Sequence, residues 1–142
     1  MDARELLEKT LQNTHYQVSA CFRDLKPELW DRKLVEGALT PRETLEHLAD
    51  CCIAIQRVSR GEKHEWHSTH SPDPSEEGMM RHYESERAKA LQVLADNPSP
   101  QLFDQAIDYM ALHEAYHVGQ MVQFRIHFEP EWNSYSIYEG HA

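Results

Sequence analysis

Hydrophobic positions along this chain recur every three or four residues, which is the period of a helix. From Asp2 to about Leu25 the apolar residues Leu7, Leu11, Val18, Phe22 and Leu25 form one stripe with polar positions between them. Pro27 and Gly37 then interrupt the pattern, and Thr40-Pro41 followed by Glu43 has the form of a capping box with proline at the first helical position. A second helix is predicted from there to about Ser59 or Arg60, with Gly61 as its stop. Its apolar arc is wide, from Leu45, Leu48 and Ala49 through Cys52, Ile53 and Ile55, so it should touch more than one neighbour. Glu62 to Ser75 is polar, carries two prolines and reads as a loop. A third helix is expected over about Glu76 to Ala95, on Met80, Tyr83, Arg87, Leu91 and Leu94. A fourth runs from about Gln101 to Phe128 and stops before Pro130.

No segment alternates with the two-residue period of a strand. Four helices of roughly 20 to 28 residues, each about 30 to 40 Å long, predict an all-α four-helix bundle in a single domain, residues 1–142. The short connection between helices three and four makes them antiparallel. The loop before helix three has roughly 15 residues and can stretch about 50 Å, so an up-down-down-up order is expected. The aromatic tail of Trp132, Tyr135 and Tyr138 should pack as a lid or as an oligomer contact.

Composition narrows the partners. The 142 residues include 24 acidic and 14 basic side chains, giving a formal net charge of −10. Nucleic acid and anionic membranes both require a positive face, so neither is an expected partner. No apolar run approaches a membrane span, and the opening Met-Asp-Ala-Arg-Glu-Leu-Leu-Glu lacks a signal-peptide core. Three cysteines, two of them adjacent at Cys51 and Cys52, provide no disulfide framework, which points to a reducing, cytoplasmic location.

The candidate chemistry lies in His113-Glu-Ala-Tyr-His-Val-Gly-Gln120. Histidines four apart on a helix share a face, so His113 and His117 can reach one ion without backbone strain. The same letters spell the H-E-x-x-H of zinc peptidases, with Glu114 as general base. The extended metzincin form of that motif wants Gly and His where Gln120 and Gln123 stand, only Glu139 offers a loosely placed carboxylate downstream, and zincin folds need a sheet that this chain lacks; Glu114 is read instead as a solvated helix-face acid. His113, His117, Gln120, Met121 and Phe124 are expected on the core-facing stripe. His47, beside the apolar arc of helix two, is the best third ligand. Three neutral imidazoles can bind zinc, nickel, iron or copper and leave a coordination position open. Cys51, one turn from His47, is a thiol beside this site or a small core residue. Asp50, Glu46 and the run Arg81 to Lys89 read as exposed faces, and His64, His67 and His70 as solvated loop residues outside the site.

At these residues the chain resembles the DinB/YfiT-like superfamily of small four-helix-bundle metal proteins. The shared features span nearly the whole chain: Leu29-Trp30 in the first linker, Thr40-Pro41 opening helix two, His47-Leu-Ala-Asp50, and Tyr116-His117-Val118-Gly119-Gln120. The chain departs from the family at Val118, where Arg is common. The resemblance implies a divalent metal, nickel or zinc, on His47, His113 and His117. It also implies a small-molecule substrate, with a low-molecular-weight thiol or water activated by the metal in a transferase or hydrolase reaction, and a homodimer. Gln120, with Tyr116 and Cys51, would line the pocket or support the ligands, and Gly119 would be a point of close helix approach. The alternative of a different class is a non-enzymatic metal-binding or stress-response protein built on the same triad.

Overall fold

A computed structural model describes residues 1–140, and among these every regular element is helical. Helix α1 spans Ala3–Phe22 and is opened by a reciprocal capping box between Asp2 and Glu5. Its end comes three residues before the predicted Leu25, where Asp24 turns the chain with φ of 57°. Helix α2, Pro41–Ser59, begins as its sequence predicts: the Thr40 hydroxyl accepts from the Glu43 N–H while the Glu43 carboxylate accepts from the Thr40 N–H. Gly61, with φ of 74°, terminates it in the left-handed conformation that glycine adopts at low cost. Helix α3 covers Glu76–Asp96 behind a Ser75 cap.

The fourth rod is not uniform. It consists of α4, Pro100–Ala106, a π-helical stretch over Ile107–Leu112, and α5, His113–Phe128. A continuous α-helix was expected, and the wider i→i+5 register of the middle segment displaces everything after it.

Cross-helix contacts fix the directions. Along α1 and α5, Thr14 meets Glu114 and Cys21 meets both Val118 and Arg125, so the two numbers rise together and these helices are parallel. Arg42 reaches Glu76 and Gln56 reaches Glu86, which makes α2 and α3 parallel as well. His15 pairs with Glu84 while Leu11 pairs with Arg87, so α1 and α3 are antiparallel. The bundle is therefore up-down-down-up, and the long polar loop carries the chain back along the bundle between the two parallel helices.

The apolar stripes fill two clusters. One gathers Val18, Leu45, Leu48, Val118, Met121 and Phe124, and the other Leu7, Leu11, Ile55, Leu94, Leu102 and Met110. Between them, at the level of Thr14, sits a buried ion pair that the charge pattern did not predict. Glu114 is only 2% exposed and Arg87 is likewise buried, correcting their expected place on solvated faces. Arg87 donates to both carboxylate oxygens at 2.9 and 3.0 Å, Thr14 adds a third bond at 2.6 Å and Tyr83 a fourth at 2.5 Å. Burial alone would lower the Arg87 pKa, but the hydrogen bond and charge of Glu114 outweigh it and keep the guanidinium protonated.

The tail folds back on the bundle. A 3-10 turn over Ser134–Tyr138 buries Ile137 against α1, and the Arg125 guanidinium lies 4.7 Å over the Trp132 ring. Among the described residues no helix is long and apolar enough to cross a membrane.

Candidate metal centre

His47 lies on the second turn of α2, and the break in the fourth rod sets His113 at the first position of α5 with His117 one turn on. The ring centroids of His47 stand 5.1 Å from His113 and 5.4 Å from His117, and those of His113 and His117 are 5.8 Å apart. One ligand nitrogen from each lies within 4.8 Å of the other two, a grouping able to hold a metal ion. The pair singled out by spacing, His113 and His117, and the His47 chosen beside the apolar arc of α2 are thus brought together by two helices.

The nitrogens not needed for a metal are accounted for. His117 Nδ1 is 2.7 Å from Gln120 Oε1, and Gln120 Nε2 donates to the Tyr116 hydroxyl at 3.0 Å. Since the amide nitrogen is used on Tyr116, its oxygen faces the imidazole and accepts the Nδ1 proton, which leaves the Nε2 lone pair free. His113 Nδ1 lies 3.3 Å from the carbonyl of Asp108, inside the π segment. That contact has the same consequence for His113. His47 Nδ1 is buried and has no hydrogen-bond partner, a deficit of the kind that a cation removes.

Electrostatics favour neutral ligands. Burial pushes the His117 pKa down to about 4, with the neighbouring His47 and His113 adding to the effect and the Gln120 hydrogen bond opposing it. His47 is lowered by burial first, then by His113 and His67, against a smaller opposing pull from Asp50. Both rings are therefore unprotonated at neutral pH, the state that binds metal. Cys51 Sγ is 3.9 Å from His47 Nε2, a weak contact, and burial raises its thiol to about 12. It is a packed thiol rather than a thiolate ligand.

Several expectations need correcting. Gln120 is exposed instead of core-facing, and Tyr116 is 62% exposed, so both support His117 from outside the core. Gly119 is exposed, and a Cβ there would meet nothing within 4 Å, so it marks no close helix approach. It lines instead an apolar cleft of about 430 Å³ between Leu34, Val35, Leu39, Met121 and Phe124, with Tyr116 and Gln120 at its edge. A cavity of about 300 Å³ around Leu7, Leu91, Leu94 and Phe103 includes Arg87, whose charge Glu114 already neutralises, and shares no residue with the triad.

The loop histidines are also not free solvent groups. Asp50 was expected on an exposed face but is buried, and it accepts from the His67 N–H at 2.9 Å and the Thr69 hydroxyl at 2.6 Å. His64 Nε2 lies 3.1 Å from Asp50 Oδ1, and its side chain is buried. Burial raises the Asp50 pKa, yet the Thr69, His67 and His64 interactions together outweigh it and hold the carboxyl below its ordinary value. His67 and His70 are exposed as expected, His70 beside Glu46 at 3.1 Å. The signal for Asp50 was its position three residues after His47, on the same side of α2 as the loop it anchors. Comparison of the chain with family models, curated proteins and solved structures found no match in any of them, so the residues themselves carry the functional reading.

Proposed function

We propose that this chain is a divalent-metal protein of the DinB/YfiT-like kind, binding nickel or zinc through His47, His113 and His117. The observation that carries the reading is the convergence of three imidazoles from two helices, two with their outer nitrogens occupied and the third with a buried nitrogen lacking any partner. When bound, the metal supplies Lewis acidity that brings the pKa of a thiol or water toward neutrality. Three protein ligands leave a coordination position for that group.

The chain's own residues supply the rest. Gln120 fixes the His117 tautomer and Tyr116 fixes Gln120, so the ring that faces the core is oriented from the solvent side. The apolar cleft is lined by these same two side chains, though by none of the three histidines, and suits a substrate with an uncharged organic body. Glu114 does not act as a base here. Its oxygens already accept four hydrogen bonds from Thr14, Tyr83 and Arg87, leaving none free to take a proton from water. This argues against H-E-x-x-H peptidase chemistry, in which Glu114 would be the general base.

The test is a screen of nickel- and zinc-loaded protein against electrophilic acceptors with a low-molecular-weight thiol, and against small esters and amides. Turnover that disappears on chelation and in His117→Ala supports the enzyme. Tight, triad-dependent metal binding with no turnover on any substrate overturns the catalytic part and leaves a metal-holding protein. The cytoplasmic location that the cysteine usage points to and the homodimer that the resemblance implies belong to the same proposal.

A further inference from the structure

The loop of residues 60–75, which joins α2 to α3, is stapled onto α2 by one buried carboxylate, and it brings a fourth histidine to the candidate site. The two Asp50 oxygens accept from the His67 N–H and the Thr69 hydroxyl. His67 itself has φ of 64°, a left-handed conformation that costs a residue other than glycine on the order of 1 kcal/mol and persists only where the surroundings hold it. The result of that turn is an imidazole stacked on His47, with ring centroids 5.4 Å apart and planes 23° from parallel. Ligand atoms of His47, Asp50 and His67 all fall within 4.8 Å of one another.

A second observation marks the same place. The His64 side chain is 3% exposed, with its Nε2 3.1 Å from Asp50 Oδ1 and its Nδ1 3.2 Å from the Arg57 guanidinium, so a buried imidazole backs the carboxylate. Asp50 Oδ1 is taken up by Thr69 and His64, while Oδ2 accepts from the His67 N–H and keeps a lone pair for a cation. From this cluster a cleft of about 210 Å³ opens outward past Glu43, Glu46 and His70. Its carboxylates give it a potential that draws cations. The triad, by contrast, includes the buried His117.

We propose that His67, Asp50 and His47 form an outer position for a divalent cation, from which the ion is handed inward to His113 and His117 while His47 stays bound. The hand-over rests on the triad reading, whereas the outer position stands on its own ligands. A neutral imidazole has one lone pair for one ion, so the two positions are alternatives and the chain holds one cation at a time. Exchanging Asp50 and His67 for His113 and His117 keeps at least one protein ligand on the ion throughout. Two imidazoles and a carboxylate suit zinc, nickel or ferrous iron.

Zinc alone, added to the full chain, tests this in two arms. In the first, the double variant His113→Ala/His117→Ala retains one zinc per chain, weaker than wild type by on the order of 100-fold, and adding His67→Gly abolishes it. Glycine is chosen because it adopts the φ of 64° without strain. In the second arm, His67→Gly alone leaves the equilibrium affinity within about threefold of wild type. It slows both zinc uptake and chelator-driven release by on the order of tenfold, because removing an intermediate raises the barrier in both directions. His67→Asn, which also tolerates the left-handed region, must give the same result if the imidazole rather than loop order is responsible. The proposal is overturned if the double variant binds no zinc, if its zinc is indifferent to His67, or if His67→Gly leaves both rates unchanged. Failure of the triad reads out separately, as equal zinc affinity in wild type and the double variant.

Discussion

Replacing Glu114 by glutamine keeps the side chain's shape and removes the charge that neutralises Arg87. A buried ion left without its partner costs about 3 to 5 kcal/mol, so Glu114→Gln should lower the urea midpoint steeply while leaving zinc affinity within about threefold. Loss of metal binding in a still-folded Glu114→Gln protein would contradict the purely structural role assigned to this residue. Gly119 makes the opposite case: with open space where a Cβ would sit, Gly119→Ala should stabilise α5 by up to about 1 kcal/mol in thermal unfolding, and destabilisation would contradict the exposed placement. At this scale the triad was legible because helical periodicity alone puts His113 and His117 together. Arg87 and Glu114 were misjudged because charge was taken as a sign of exposure. The signal was present in Arg87 itself, which falls on the same stripe as Tyr83 and Leu94 and therefore had to find a buried counter-charge.

Capping boxes, prolines and glycines marked the helix ends, since each acts through neighbours within a few residues. The π segment over Ile107–Leu112 escaped that reading, because a change from i→i+4 to i→i+5 pairing is imposed by packing at both ends of the rod. Its position is what matters for the site. It separates the face of α4 that buries Leu102 and Ala106 from the face of α5 that carries His113 and His117. Deleting the exposed Leu112 turns α5 by about 100° relative to α4 if the rod stays helical. The expected outcome is unchanged helicity by circular dichroism with zinc affinity reduced by on the order of 100-fold or more. Wild-type affinity in that deletion would show that the π segment does not set the ligand geometry. The loop of residues 60–75 was equally illegible as structure, because Asp50 anchors it across 17 residues to His67 and 19 to Thr69, beyond any local pattern.

The whole molecule couples the candidate site to stability through protons. Folding holds His117 neutral with a pKa lowered from 6.5 to about 4. The unfolded chain therefore takes up a proton at higher pH than the folded one. The stabilisation is complete above pH 6.5 and is lost as pH falls toward 4, amounting to on the order of 3 kcal/mol for the metal-free protein. Urea unfolding between pH 7 and pH 4 should show that decline in wild type and a shallower one in His117→Gln; parallel curves would contradict it. The bundle's closure over its thiols has its own readout. Burial raises Cys21 and Cys51 to about 12 and pushes Cys52 well above its ordinary value, so iodoacetamide at pH 7.5 should label none of the three until the protein unfolds. Fast labelling of any of them in the native state would show that the core opens where these contacts say it is closed. The up-down-down-up order was legible from loop lengths, since only a long connection lets consecutive helices run parallel. Whether the three histidines hold a metal is read by a competition titration of zinc against a chromophoric chelator, using wild type, His47→Ala, His113→Ala and His117→Ala. Wild type should bind one zinc per chain, and each substitution should weaken it by on the order of 100-fold with the helical spectrum unchanged. Equal affinity across all four proteins would contradict the three-histidine metal site.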